Sequence, residues 1–140
     1  MTTRRNYRLN RNHTIKIKKR FKTLNAHRRG LMFIKNPLPQ NTGALFTRFR
    51  RCTSRNSRRR TFNNKKRSKC NGYWMKNTYI PLDIIALNDK RRVIGMVHNM
   101  RPHSLKIHNV PHNTTYAIET NAGHIKRNHI KLGDRIIFGR

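Results

Sequence analysis

Two stretches of this chain, residues 1–14 and 47–72, are almost wholly polar; around them, short apolar runs alternate with turn signals. In TIKIKKRF (14–21) apolar and basic residues alternate through Ile15 and Ile17 towards Phe21, and period two predicts a strand with a cationic outer face. Thr23 fits a helix N-cap and Gly30 a C-terminal stop, so the intervening LNAHRR predicts one or two turns of helix. LMFIKNPLPQNTGALF (31–46) reads as two apolar clusters around a Pro-bounded loop. After the turn dipeptide Asn71-Gly72 comes the densest apolar segment, YWMKNTYIPLDIIAL (73–87). The turn NDK (88–90) folds it back onto RVIGMVHNM (92–100) as a hairpin. SLKIHNV (104–110), TTYAIET (114–120) and DRIIFGR (134–140) are further strand candidates, and NAGHIKRNHI (121–130) holds a short helix or turn before Gly133. Pro81 places its strand at an edge or a bend, and Gly95 marks a bulge or a close backbone approach.

Many short strands at this spacing predict a β-rich chain, all-β to α+β. The expected form is a small barrel-like or sandwich domain with one or two short helices. The organisation follows: a basic arm over 1–14, then one β-rich domain over 15–140, interrupted by a basic loop at 47–72. There is no internal repeat.

Charge changes the picture most. The chain has 34 Lys and Arg against 4 Asp and Glu, a formal net charge of +30. Residues 1–72 contain 23 of the basic residues and none of the acids. Self-repulsion on that scale opposes a compact state unless counter-anions bind, so a polyanion is the expected partner. Nucleic acid comes first and an anionic membrane surface second. No apolar run reaches the roughly 18 residues of a membrane span, and the N-terminus lacks the apolar core of a secretory signal.

Arg dominates residues 48–60, and its planar fork matches phosphate geometry. The candidate contacts in the loop are Arg48, Arg50, Arg51, Arg55, Arg58, Arg59, Arg60, Lys65, Lys66 and Arg67. The arm and first strand add Arg4, Arg5, Arg8, Arg11, Lys18, Lys19 and Arg20. Tyr7, Phe21, Phe49 and Phe62 are interleaved with them and are candidates for stacking on bases. Cys52 and Cys70 bracket the loop, either as reduced thiols or as a disulfide worth about 3 kcal/mol on chain-entropy grounds. They are too far apart for a metal-binding pair, and His98, His103, His108 and His112 lack zinc-like spacing, so no metal or cofactor is expected. No nucleophile motif or phosphate-binding glycine loop is present, and no catalytic residue is assigned.

Five motifs, in order, resemble the domain-of-unknown-function 192 (uncharacterised ACR) family. Thr23 leads to Gly30, Leu31 and Met32. Leu38, Pro39, Asn41, Gly43, Leu45 and Phe46 follow. The signature YWMKNT then runs into Ile80, Pro81, Leu82 and Asp83. Glu119, Asn121, Ala122 and Gly123 come next, and Gly133 with Asp134 closes the set. The resemblance implies a compact barrel-like β domain and no particular reaction. It also makes residues 47–72 an insertion where the family has a short loop, a tolerable change because closure entropy grows slowly with length. Trp74, Lys76, Asn77, Asp83 and Glu119 are its aromatic and polar positions: either a small-molecule pocket, or structural residues in which Asn77 and Asp83 cap turns and Trp74 fills the core. The four acids are expected as internal salt-bridge partners.

These features together predict a non-enzymatic structural protein of a large assembly, bound to nucleic acid or another polyanion and to neighbouring proteins. A minor capsid or internal virion protein of a large DNA virus is the first expectation. A ribosomal or ribosome-associated protein is the second, in a cytoplasmic or organellar particle. A small-molecule or enzymatic domain with a pocket near Trp74 and Asp83 is the third.

Overall fold

The computed structural model describes residues 10–47 and 72–139. Its centre is a five-stranded mixed sheet in the order β2-β3-β8-β5-β6. These strands are β2 (Lys16–Phe21), β3 (Thr42–Phe46), β5 (Leu82–Leu87), β6 (Val93–Met100) and β8 (Tyr116–Asn121). β2 and β3 run parallel, joined through helix α1 (Leu24–Arg29), and the other neighbours are antiparallel. Two small sheets flank it: β1 (Asn12–Thr14) beside β9 (Arg135–Ile137), and β4 (Gly72–Tyr73) beside β7 (His108–Asn109). Helix α2 (His124–Arg127) follows β8. The sheet stays open, with β2 and β6 as its edges, so the arrangement is a sandwich-like α+β domain and not a closed barrel.

The apolar run LDIIAL has no polar alternation because both faces of its strand are covered. Leu82, Ile84 and Ala86 join Ala44, Phe46 and Ala117 in one core, closed by Leu31, Tyr73, Met75 and Ile80. Ile85 and Leu87 join Leu45 and Ile118 in the other, under Ile125, Ile130, Ile136 and Phe138. Period two along each strand divides the side chains between the two cores.

Several local expectations hold. Thr23 caps α1, its hydroxyl accepting from the Ala26 amide at 3.1 Å, and Gly30 ends the helix at φ 46°. The turn at 88–90 joins β5 to β6 as an antiparallel hairpin. Gly95 is a close approach: a Cβ there would lie 2.8 Å from Pro111 Cδ. Others are corrected. The segment 73–87 is not one strand; β4 and β5 are separated by a turn through Lys76 and Asn77. β5 lies between β8 and β6, and Pro81 precedes it, where its missing N–H costs no ladder bond. Of SLKIHNV only His108–Asn109 is strand. The arm ends earlier than residue 14, because Asn12–Thr14 pair with Arg135–Ile137 and the Arg11 amide donates to Asp134 at 3.1 Å. Arg4, Arg5, Arg8 and the 48–71 part of the loop, with Cys52 and Cys70, lie outside the described residues.

Gly43 sits where β3 is closest to its neighbours. A Cβ there would lie 2.5 Å from Ile118 Cγ2 and 3.0 Å from the Glu119 carbonyl. Gly43→Ala is expected to lower unfolding free energy by about 1–3 kcal/mol, read from the urea midpoint at unchanged slope.

Candidate functional site: a surface cleared of negative charge

The four acids decide the electrostatics. Asp83 is fully buried on β5 and accepts three backbone N–H groups: Asn99 at 2.8 Å, and Gly123 and Ile125 at 3.1 Å. It ties the end of β6 and the start of α2 to the central strand. Asp134, also buried, accepts from the amides of Arg11 and Lys131 and lies 2.8 Å from His13 Nε2. Glu119 is buried on β8, directly opposite Ala44 and Ile84, and its Oε2 has no hydrogen-bond partner among the described residues. Burial pushes its carboxyl up to about 8, so it is mainly neutral at pH 7. Burial, then the nearby Glu119, also raises the Tyr73 hydroxyl well above its ordinary range. Only Asp89, in the hairpin turn, is an exposed acid.

Of the internal salt bridges expected for the acids, the described residues show one. Among the described residues no Lys or Arg pairs with a carboxylate; the single ion-pair contact is His13 with Asp134. Backbone N–H groups bond to both buried aspartates, and most of the described Lys and Arg residues are exposed. The edge strand β2 shows the result: Lys16, Lys18, Lys19 and Arg20 are exposed along it, Lys22 follows, and Arg28 and Arg29 end α1. A bulge between Ile17 and Lys19 crowds the row. Arg20 also donates to the Gly139 carbonyl at 2.6 Å. Cations and bulges on an edge strand also prevent unwanted strand addition, so the row by itself has a structural explanation. Its position adds to it. The Thr47 amide bonds the Phe21 carbonyl at 3.0 Å, so the basic insertion departs at one end of β2, while the basic N-terminal segment joins β1 at the other.

Asp83 and Glu119, two members of the pocket alternative, are not brought together. Glu119 faces the first core; Asp83, paired opposite Thr120, faces α2 on the other side of the sheet. Asn77 shapes a turn at φ 53°, as expected of a turn residue. Lys76 is exposed in that turn, its Nζ 5.1 Å from the Trp74 ring centre. Trp74 does not fill the core: it is exposed, and Phe46 and Tyr73 take that place, their rings 5.3 Å apart. Phe21, expected to stack on bases, is half-buried with its ring 4.8 Å from Phe46. Tyr7, Phe49 and Phe62 lie outside the described residues, within which no group of three His, Cys, Asp or Glu residues is placed to hold a metal. No described helix is long and apolar enough to cross a membrane. Sequence reasoning missed the exposure of Trp74, Tyr79 and Phe33, which local composition does not signal.

The motif residues that carried the resemblance are thus largely the joints of the fold: Thr23, Gly43, Asp83, Asn121 and Asp134. Asn121 exchanges two bonds with the Leu38 backbone, at 2.8 and 2.6 Å. The family model for uncharacterized ACR proteins, domain of unknown function 192, matches residues 6–138. The chain belongs to that family. Among solved structures, this family member resembles a protein of unknown function from Novosphingobium aromaticivorans, with TM-score 0.65 and 29% identity over 83% of this chain and 70% of that one. It also resembles a "putative transcription regulator" from Sinorhizobium meliloti, with TM-score 0.65 and 25% identity over 85% of this chain and 78% of that one. No curated protein matches.

Two outcomes test these assignments. Asp83→Ala orphans three amides, the Ile125 one buried and those of Asn99 and Gly123 part-buried, and is expected to destabilise by about 3 kcal/mol in denaturant titrations. Glu119 binds its proton more tightly folded than unfolded, so its ionisation opposes folding: stability should fall as pH rises from about 4.5 towards about 8. Glu119→Gln should flatten that slope, measured as unfolding free energy against pH.

Proposed function

We propose that this family member is a non-enzymatic, nucleic-acid-binding structural protein of a large nucleoprotein assembly. The observation that carries the reading is the fate of the acids. With Asp83, Glu119 and Asp134 inside, Asp89 alone faces solvent among the described acids, so cations on β2 and α1 have almost no intramolecular competitor for a phosphate. A +30 chain gains compactness from every counter-anion it binds. A virion that packs DNA and a ribosome both supply phosphate at the required density; the virion interior is the first proposal, as a minor capsid or internal protein. Neighbouring acidic proteins are further partners for the same cations. Asp83 held by backbone amides and Glu119 sealed in a core support a non-enzymatic reading, because neither is presented to a substrate. The similar Sinorhizobium meliloti structure is that of a "putative transcription regulator", a description compatible with this class of partner.

Filter retention of a labelled duplex by the full chain across a salt series tests the proposal. Log affinity should fall steeply with log salt, by about 0.9 for each phosphate neutralised. Changing Lys18, Lys19, Arg20 and Lys22 together to Gln should reduce that slope by up to about 3.6. Removing residues 48–69 should reduce it further and abolish most binding at physiological salt. Affinity unchanged by both alterations would sink the reading.

A further inference from the structure

Among the described residues, the exposed aromatic side chains belong to one group of loops. Phe33, Trp74 and Tyr79 are 61, 42 and 45% exposed, large values for such side chains. Along 72–80 the inward residues are Tyr73, Met75, Thr78 and Ile80, while Trp74, Lys76 and Tyr79 face out. Backbone bonds knit three segments together: the Phe33 amide to the Asn77 carbonyl at 2.8 Å, the Met75 amide to Ser104 at 3.0 Å, and the His103 amide to Thr78 at 3.0 Å. Phe33, Asn77 and His103 all adopt positive φ, at 66, 53 and 61°. A phenylalanine held in the left-handed region with its ring in solvent is costly in backbone and in hydration, and such strain concentrates where function requires a fixed shape. Lysines lie against the rings: Lys76 Nζ is 5.1 Å from the centre of Trp74, and Lys35 Nζ is 5.6 Å from that of Tyr79. His103 packs edge-on against Tyr79 with ring centres 4.6 Å apart. The three segments contain no acid.

We propose that this aromatic and lysine patch is a stacking platform for the bases of single-stranded nucleic acid. Bases lie on Trp74, Tyr79 and Phe33, while Lys35, Lys76 and Lys106 take the adjoining phosphates. Every base has a π-face, so the platform is tolerant of sequence. A duplex keeps its bases stacked on one another and offers only phosphate. The alternative occupant, an apolar protein surface, fits less well, because lysine is depleted from such interfaces and here accompanies the rings. The platform rests on the nucleic-acid reading above and narrows it to strand type.

Trp74 is the single tryptophan of the chain, so its fluorescence reports this patch alone. The full chain is titrated with oligo-dT and with a duplex of equal length at the same salt. Oligo-dT should quench the emission and the duplex should leave it nearly unchanged. By anisotropy of labelled oligonucleotide, Trp74→Ala with Tyr79→Ala should weaken single-strand binding by about tenfold or more. Duplex affinity should stay within about twofold, and Trp74→Phe should keep most single-strand affinity. Since both side chains are exposed, an unchanged thermal midpoint verifies the fold of each variant. Tight oligo-dT binding with unaltered emission and no loss in the double variant overturns the platform and leaves the cationic reading standing. No binding of either nucleic acid at low salt overturns both. Quenching by anionic phospholipid vesicles and not by oligo-dT also overturns the platform, in favour of a membrane surface.

Discussion

Asp83 accepts three main-chain amides at the centre of the sheet, and the fold is arranged around that contact. It is fully buried, so a bare carboxylate there would be prohibitively expensive. Three N–H donors replace the water it lost. They come from the end of β6 and from the entry to α2, so solvating the charge also fixes where these two elements sit. Asp134 does the same at the rim, drawing the start of β1 and the loop before β9 together. In a chain so rich in cations, the anionic side chains are used as acceptors for backbone donors.

That use of the acids shapes the surface. A carboxylate saturated by amides does not need a Lys or Arg, and Glu119 avoids the problem by staying protonated in an apolar core. The cations are then excluded from the interior by their own hydration and collect outside with little to neutralise them. The edge strand β2 links the two most basic stretches of the sequence, and an aromatic patch emerges elsewhere among the loops. Rigidity comes from the buried carboxylates and the two apolar cores; the proposed binding to polyanions would come from what burial leaves behind.

Much of this architecture is legible in the residues. Thr23 and Gly30 mark a helix because capping is local chemistry. The hairpin at 88–90 follows from two apolar runs around a polar turn. Asp83 is legible as a capping residue, yet the amides it caps lie 16, 40 and 42 positions away, and no window of sequence contains them. Trp74 shows the opposite failure. In a dense apolar segment a tryptophan reads as core, but Tyr73 and Met75 take the inward positions and the alternation turns Trp74 out. Asp83 and Glu119, which the pocket alternative would bring together, lie on opposite faces of the sheet, because sharing a family motif does not require sharing a side of it.

By itself, the sequence determined most of the strand and helix segments, the polar stretch at 47–72 and the excess of positive charge, since periodicity, capping and titration are properties of neighbouring residues or of the whole composition. Only the tertiary structure decided which phase of each alternation faces a core, that β5 is central and not an edge, and that three of four acids are withdrawn from the surface. Those outcomes depend on contacts between residues far apart in the chain, where burial and hydrogen bonding set the free energy and local pattern carries no information about the partner.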